Sequence, residues 1–333
     1  MKRLPVQRSL GLCWSIATDT FTFQVAVSDK PFTRRGVLST VNSLFNPLGL
    51  VAPVTIRGQA LLRELSTDTL DWDAELPAKN VVKWETWKNS LQDLSKLHLS
   101  RSYVHQSLSN AIQTELCLFS DASNWAIGAV AYLRVITTDG QCRVGFVLGK
   151  AKLAPQPEPT IPRLELCGAV LGVEMAEYIL DELDFKPDAV KFYCDSKVAL
   201  GYIHNNSKRF FVYIHNRVHR IRKTTSQLWH FVPTDQNPAN LATRSVPVSR
   251  LVDTMWFTGP AFLHKPSQLA TQETFELIES ETDVDVRPQL TILATHVSDD
   301  ELNSERFQRF STWESLLRGV AFLIHQIRSR SPN

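Results

Sequence analysis

The sequence contains no apolar run approaching the roughly 20 residues that span a bilayer, and no apolar segment of signal-peptide length follows the polar, basic stretch Met1–Ser9. These absences exclude a membrane partner and lead us to expect a cytoplasmic or nuclear protein. No cysteine pair has CxxC spacing. Cys13, Cys117, Cys142, Cys167 and Cys194 are odd in number, scattered and set mostly in apolar runs. That argues against a cysteine-rich zinc site and predicts reduced core thiols. Acidic residues are missing altogether between Asp195 and Asp235, where Lys197, Lys208, Arg209, Arg217, Arg220, Arg222 and Lys223 fall. In a chain with a net charge of only +2 this is a local basic footprint that suits nucleic acid, the plain alternative being a solvated helix face. The opposite sign gathers at Glu273, Glu276, Glu279, Glu281, Asp283 and Asp285.

What is present suffices for a sizeable core: 333 residues, 43% hydrophobic and 21% charged, predict roughly two domains of ordinary globular composition. Leu12 to Val27 alternates like a hairpin, with a polar bend at Ala17–Thr20 and Phe21, Phe23 and Val25 on one face. Helical patterns follow. Thr33 is placed to cap a helix over 34–45, Asn46-Pro47-Leu48-Gly49 breaks it, and a second helix runs from Pro53 to Leu65. In a third, Trp84, Trp87, Leu91 and Leu94 recur at helical spacing, which marks core rather than a binding site. This first part holds no constellation able to do chemistry.

From Thr114 the grammar changes to strand, strand, strand, helix, strand, helices, strand. The stretch Glu115–Ser123, ELCLFSDAS, reads as a strand buried on both faces that delivers Asp121 at its end. Taken alone, an aspartate there is ordinary turn punctuation. Two further strands cover 127–135 and 143–153. After the proline-punctuated 155–162, Thr160 is placed to cap a helix with Pro162 in its first turn. Along that helix Glu165, Gly168, Ala169, Gly172 and Ala176 form a small-residue stripe, which predicts close approach to a sheet and brings Glu165 towards Asp121. Ala189–Cys194 is a second apolar strand ending in an acid, Asp195. The basic segment then carries a buried seam at Phe211, Ile214, Val218 and Ile221. With no Ser–His or Cys–His arrangement in evidence, the carboxylates of Asp121, Glu165 and Asp195 point to hard-cation binding. The expectation is Mg2+ or Mn2+, two ions if the site is active, acting on a phosphodiester.

Two sets of motifs carry a family resemblance. Thr33 to Ile56, TRRGVLSTVNSLFNPLGLVAPVTI, followed by Leu70-Asp71-Trp72-Asp73, resembles the segment after the reverse-transcriptase palm in polyproteins of Pao/BEL-family LTR retrotransposons, with Arg34 and Asn46 as departures. The order strand-Asp, RLEL helix, strand-Asp-Ser, basic helix and NPAxLATR resembles the ribonuclease H domain of the same elements. The region is also grouped with the Pao retrotransposon peptidase family. The resemblance implies an α/β, ribonuclease H-like mixed five-stranded sheet flanked by helices at 113–248. It implies a mainly helical thumb/connection-like region at 1–112, and a linker and C-terminal helix at 249–333. Met255–Leu263 is similar to the WxxGPxFL segment that follows in the family. A YxDD polymerase motif is absent, so the chain is expected to be a polyprotein fragment whose reverse-transcriptase and integrase modules are possible partners.

The resemblance implies metal-ligand roles for Asp121, Glu165 and Asp195 and a hydrolytic endonuclease cutting the RNA strand of an RNA–DNA hybrid. Lys208, Arg209, Arg217, Arg220 and Lys223 are the expected nucleic-acid contacts. At the fourth metal-site position the family motif has aspartate, whereas here it is Asn240 in Asn237–Arg244. A neutral amide in place of a carboxylate predicts impaired hydrolysis; Asp235, the nearest acid, reads as a surface turn. The alternative is a catalytically inactive nucleic-acid-binding remnant. An aspartic peptidase is the third reading, but Asp19-Thr20-Phe21, Asp195-Ser196-Lys197 and Asp253-Thr254-Met255 all lack its glycine.

Overall fold

The computed structural model describes residues 6–9, 12–25, 30–66, 71–104, 108–157, 159–223, 228–266, 275–278, 281–288, 307–308 and 310–330. In place of a single hairpin, the N-terminal part forms an antiparallel four-stranded sheet. Its strands are β1 (Val6–Ser9), β2 (Leu12–Ser15), β3 (Thr20–Thr22) and, from much later in the chain, β4 (Leu99–Ser100). A two-residue strand is too short to carry an alternation, so β4 leaves no mark in the sequence pattern.

The three predicted helices follow as α1 (Arg34–Ser43), α2 (Ala52–Leu65) and α3 (Val81–Ser90). Thr33 caps α1, its hydroxyl accepting the Gly36 N–H at 3.1 Å. Trp84, Trp87, Leu91 and Leu94 are all buried, and the Trp87 indole donates to the Val54 carbonyl at 3.0 Å.

The second sheet has five strands in the order β7-β6-β5-β8-β9. They are β5 (Ala111–Ala122), β6 (Ala126–Thr137), β7 (Cys142–Leu153), β8 (Ala189–Cys194) and β9 (Trp229–Phe231). β5, β6 and β7 pair antiparallel, while β8 and β9 join β5 in parallel. This is the expected mixed sheet. The crossover from β7 to β8 is α4 (Ile161–Glu182), and that from β8 to β9 carries α5 (Lys197–His204) and α6 (Val212–Arg222). Pro162 lies in the first turn of α4, but the Thr160 side chain makes no capping hydrogen bond. Short helices follow: α7 (Asn240–Arg244), α8 (Val248–Leu251) and α9 (Met255–Thr258).

Strand alternation divides β5 between two cores. Leu116 and Leu118 face α4 to α6, where Leu164, Ala169, Val173, Ile203, Ile214 and Val218 pack. Cys117 and Phe119 face the other way, into a core built from α1 to α3 together with Ala242, Leu251 and Trp256. The sequence reading puts a boundary at residue 112, yet this second core includes side chains from both sides of it, and residues 1–288 make one compact unit.

The acidic stretch read as a linker is partly built into that unit. Asp285 is buried and accepts from the Arg163 guanidinium at 2.6 Å, and Asp283 accepts from Tyr202 at 2.6 Å. Glu273 and Glu279 lie outside the described residues. The second unit, residues 289–333, contains α10 (Trp313–Arg330), with the Thr312 hydroxyl accepting the Ser315 N–H at its start. Among the described residues no helix is long and apolar enough to cross a membrane.

Candidate metal centre

Parallel pairing of β5 with β8 sets Ser120 opposite Cys194, so that Asp121 and Asp195 follow as neighbours at the same sheet edge. Glu165 reaches that edge from the first turns of α4. The approach depends on Gly168, where an added Cβ would lie 2.9 Å from the Asp121 carbonyl oxygen. The small-residue stripe thus acts as the sequence suggests: it lets the helix close onto the strand that carries the aspartate.

Asp121 and Glu165 are both buried, only 4% and 7% exposed. Burial pushes the Asp121 carboxyl up to about 7; the neighbouring Asp195 charge adds to this, and a hydrogen bond from the Thr243 hydroxyl opposes it. Burial pushes Glu165 further, to about 9, reinforced by the charges of Asp121 and Asp195 and opposed by the Ala122 N–H and Arg244. Without a cation these groups resist ionisation together. Glu165 Oε2 is buried with no hydrogen-bond partner. Ligand atoms of Glu165, Cys194 and Asp195 all lie within 4.8 Å of one another. Asp121 is not a member of that triplet, although its charge acts on Glu165.

Asn240 begins α7 and is buried. Its Nδ2 donates to the Thr234 carbonyl at 2.6 Å, and Oδ1 has no partner. Only an NH2 group can face that carbonyl, so the side-chain atom left over is an oxygen acceptor. The carboxylate oxygens of Asp121, Glu165 and Asp195 are donors that fit a hard divalent cation. Asp235 sits exposed in a single 3-10 turn, as its sequence context suggests.

Two positioning groups escaped the sequence reading. Asn237 is buried, and its Nδ2 donates both to the Ser120 carbonyl, at 2.9 Å, and to Asp195 Oδ1, at 3.1 Å. Thr243 donates to Asp121 Oδ2, and its own carbonyl accepts from Ser123 at 3.0 Å. Both belong to the Asn237–Arg244 motif. A polar residue after a strand gives no sign of its distant partner, which only the folded sheet edge supplies.

The basic footprint divides into two kinds of residue. Arg220 is ion-paired with Glu177 through both guanidinium arms. Arg217 lies over the Tyr213 ring at 3.5 Å, with Nε on Cys167 Sγ and Nη1 on the Tyr213 carbonyl. Arg222 donates to the carbonyls of Ile203 and Asn205. These arginines tie α6 to its neighbours. By contrast Arg209 and Lys223 are exposed and Lys208 half-exposed, and none of the three side chains has an ion-pair partner among the described residues.

Residues 33–196 match the family described as Pao retrotransposon-like RNaseH-like domain. No curated protein matches the chain. Solved structures similar to it include the N-terminal ribonuclease H domain of a Mycobacterium tuberculosis protein, 17% identical over 39% of this chain and 94% of that one, TM-score 0.28. Ribonuclease H1 of Halobacterium salinarum is 14% identical over 42% of this chain and 97% of its own, TM-score 0.26. The foamy viral protease-reverse transcriptase in complex with an RNA/DNA hybrid is 11% identical over 82% of this chain, which spans 32% of the viral one, TM-score 0.41. Residues 33–196, which run from the cap of α1 to the serine after Asp195 and make up just under half of the chain, are thus similar to Pao retrotransposon-like RNaseH-like domains.

Proposed function

We propose that this chain carries a ribonuclease H-type nuclease centre directed at the RNA strand of RNA–DNA hybrids, in which Asn240 leaves hydrolysis much reduced or absent. The observation that carries the reading is the joint burial of Asp121 and Glu165, with Glu165 Oε2 and Asn240 Oδ1 left without donors. A core that never took up a cation would gain nothing from burying two carboxylates together. Asp121, Glu165 and Asp195 would hold Mg2+ or Mn2+, with Asn240 as a neutral fourth donor. When bound, two such ions activate water and stabilise the leaving oxygen of a phosphodiester.

The chain's own part is to fix the oxygens. Asn237 orients Asp195, Thr243 orients Asp121, and Gly168 lets α4 bring Glu165 to them. An amide at 240 removes one negative charge and so weakens the hold on the second ion, while nucleic-acid binding and a single metal are retained. In the same reading Lys208, Arg209 and Lys223 meet the phosphate backbone. Residues 1–112 are the thumb/connection-like part, and 113–248 the nuclease-like part.

Cleavage of a labelled RNA–DNA hybrid in Mg2+ and in Mn2+, by the natural chain and by Asn240→Asp, tests this. The expected result is little or no cleavage by the natural chain and a gain in the variant. Full activity in the natural chain with no gain from the aspartate would falsify the impairment. Absence of both cleavage and Mn2+ binding in either protein would overturn the metal centre. Asn240 itself favours a second reading, a nucleic-acid-binding remnant: hybrid binding without cleavage even in Asn240→Asp would establish it.

A further inference from the structure

β8 delivers two potential ligands in succession, not one. Asp195 follows the strand, and Cys194, its last residue, is fully buried on the α4 side of the sheet, in the same core as Leu118 and Phe192. The Cys194 sulfur, a Glu165 oxygen and an Asp195 oxygen lie within 4.8 Å of one another, the one His, Cys, Asp or Glu triplet that close among the described residues. Zinc bonds of about 2.0–2.3 Å in tetrahedral geometry place ligand atoms on one ion about 3.3–3.8 Å apart, so a modest inward shift of the triplet would meet an ion's span. A second observation points to a ligand. Glu165, more than nine-tenths buried, contributes a carboxyl whose Oε2 has no hydrogen-bond partner. The sulfur accepts one hydrogen bond, from the Ser196 N–H at 3.3 Å.

We infer that this centre takes a thiophilic divalent cation of the zinc class, held by Cys194 Sγ with Glu165 and Asp195. The site is distinct in donor chemistry from the oxygen-only set proposed for Mg2+ or Mn2+, and it rests on the proposed metal centre because Glu165 and Asp195 serve both. On binding, the Cys194 S–H bond breaks, its proton leaves to solvent, and the freed sulfur electron pair forms the metal–sulfur bond; no atom changes oxidation state. Softness then decides between cations. Thiolate is a poor donor to Mg2+ and a strong one to Zn2+, Co2+ or Cd2+. Three protein ligands leave a fourth position for water. Because Glu165 and Asp195 serve both donor sets, zinc-class cations compete with Mg2+ or Mn2+ at the edge.

The test is titration of the full chain with Co2+, read by its thiolate-to-metal charge-transfer absorption, beside Mn2+ titration by calorimetry. The band is expected in the natural chain and in Cys142→Ser and Cys167→Ser, and lost in Cys194→Ser, with Zn2+ affinity falling about tenfold or more. Should Cys194→Ser fail to fold, cadmium NMR of the unsubstituted chain reads sulfur coordination directly. Mn2+ binding with no cobalt–thiolate band, or a band that survives Cys194→Ser, overturns the inference while leaving the proposed function standing. No binding of either ion overturns both.

Discussion

The side-chain amide of Asn237 joins the carboxylate of Asp195 to the carbonyl of Ser120, spanning the ends of two parallel strands with one NH2 group. A buried group that satisfies two acceptors at once cannot be removed without leaving both bare. Asn237→Ala is therefore expected to lower stability by about 1–3 kcal/mol in thermal or urea unfolding. Because Asp195 loses its orienting donor, Mn2+ affinity should drop about 10–100-fold. Unfolding that shifts while Mn2+ affinity stays put would show that the amide only holds strands together.

The buried carboxylates set a pH dependence for the metal-free protein. The folded state raises Asp121 from 3.8 to about 7 and Glu165 from 4.5 to about 9, so it binds their protons more tightly than the unfolded chain does. Stability is then fully present below about pH 4 as far as these groups are concerned. It is lost progressively as pH climbs from there towards 9. Glu165→Gln should raise the melting temperature at pH 9 and change it little at pH 5, and saturating Mn2+ should remove most of that gain. Equal stability of Glu165→Gln and the natural chain at pH 9 without metal would contradict this.

Asn240→Asp has a cost visible without any substrate. The amide now donates to the Thr234 carbonyl, and a carboxylate there would face that oxygen with no proton to offer. The metal-free variant should melt lower than the natural chain by about 1–3 kcal/mol at neutral pH, with divalent ions restoring the loss. Calorimetric melts with and without Mn2+ check it; a variant as stable as its parent without metal would mean that the 240 side chain turns away from Thr234.

Salt dependence should separate the two kinds of basic residue. Neutralising Arg209 and Lys223 is expected to flatten the plot of log affinity for hybrid against log salt by about 0.7–0.9 for each phosphate left without its cation. Arg220→Gln breaks a partly exposed pair with Glu177, so it should cost at most about 1 kcal/mol of stability and leave the slope unchanged. A slope altered by Arg220→Gln alone would show that the arginine leaves Glu177 to meet the nucleic acid.

Trp256 is fully buried and its indole donates to the Leu50 carbonyl at 2.9 Å, so Trp256→Ala should destabilise the protein by about 3–5 kcal/mol. Denaturant unfolding measures this, and a single cooperative loss of both sheets is expected, because their residues share a core. Separate transitions would argue against that coupling.

Much of the sheet was legible because β5 and β8 are continuous apolar runs ending in acids, and because α4 carries its small residues at one spacing. Glu165 and Asp195 come within 4.8 Å of each other, and the Asp121 charge acts on Glu165. Cys194 was legible only as a core thiol, since alternation places it on the α4 side but says nothing of how near Glu165 comes. The intramolecular partners of the α6 arginines were hidden for a related reason. Charge along a sequence records where cations are, whereas Glu177, the Cys167 sulfur and the backbone carbonyls that engage Arg220, Arg217 and Arg222 come from α4 and from α6 and its surroundings. Asn237 and Thr243 stood inside a recognised motif, yet their roles depend on acceptors more than 40 and 120 residues away, respectively.

The face of the five-stranded sheet bearing Phe119, Val130 and Tyr132 is roofed by side chains from α1 to α3 and from Val248 to Leu263. Gly49, with φ of 68°, meets Gly149 of β7 so closely that a Cβ would lie 1.7 Å from its carbonyl oxygen. A gene rearrangement that exchanged only codons 113–248 would therefore transplant a sheet with one side stripped to its hydrophobic lining. The piece that keeps both faces of that sheet covered is the compact unit of residues 1–288.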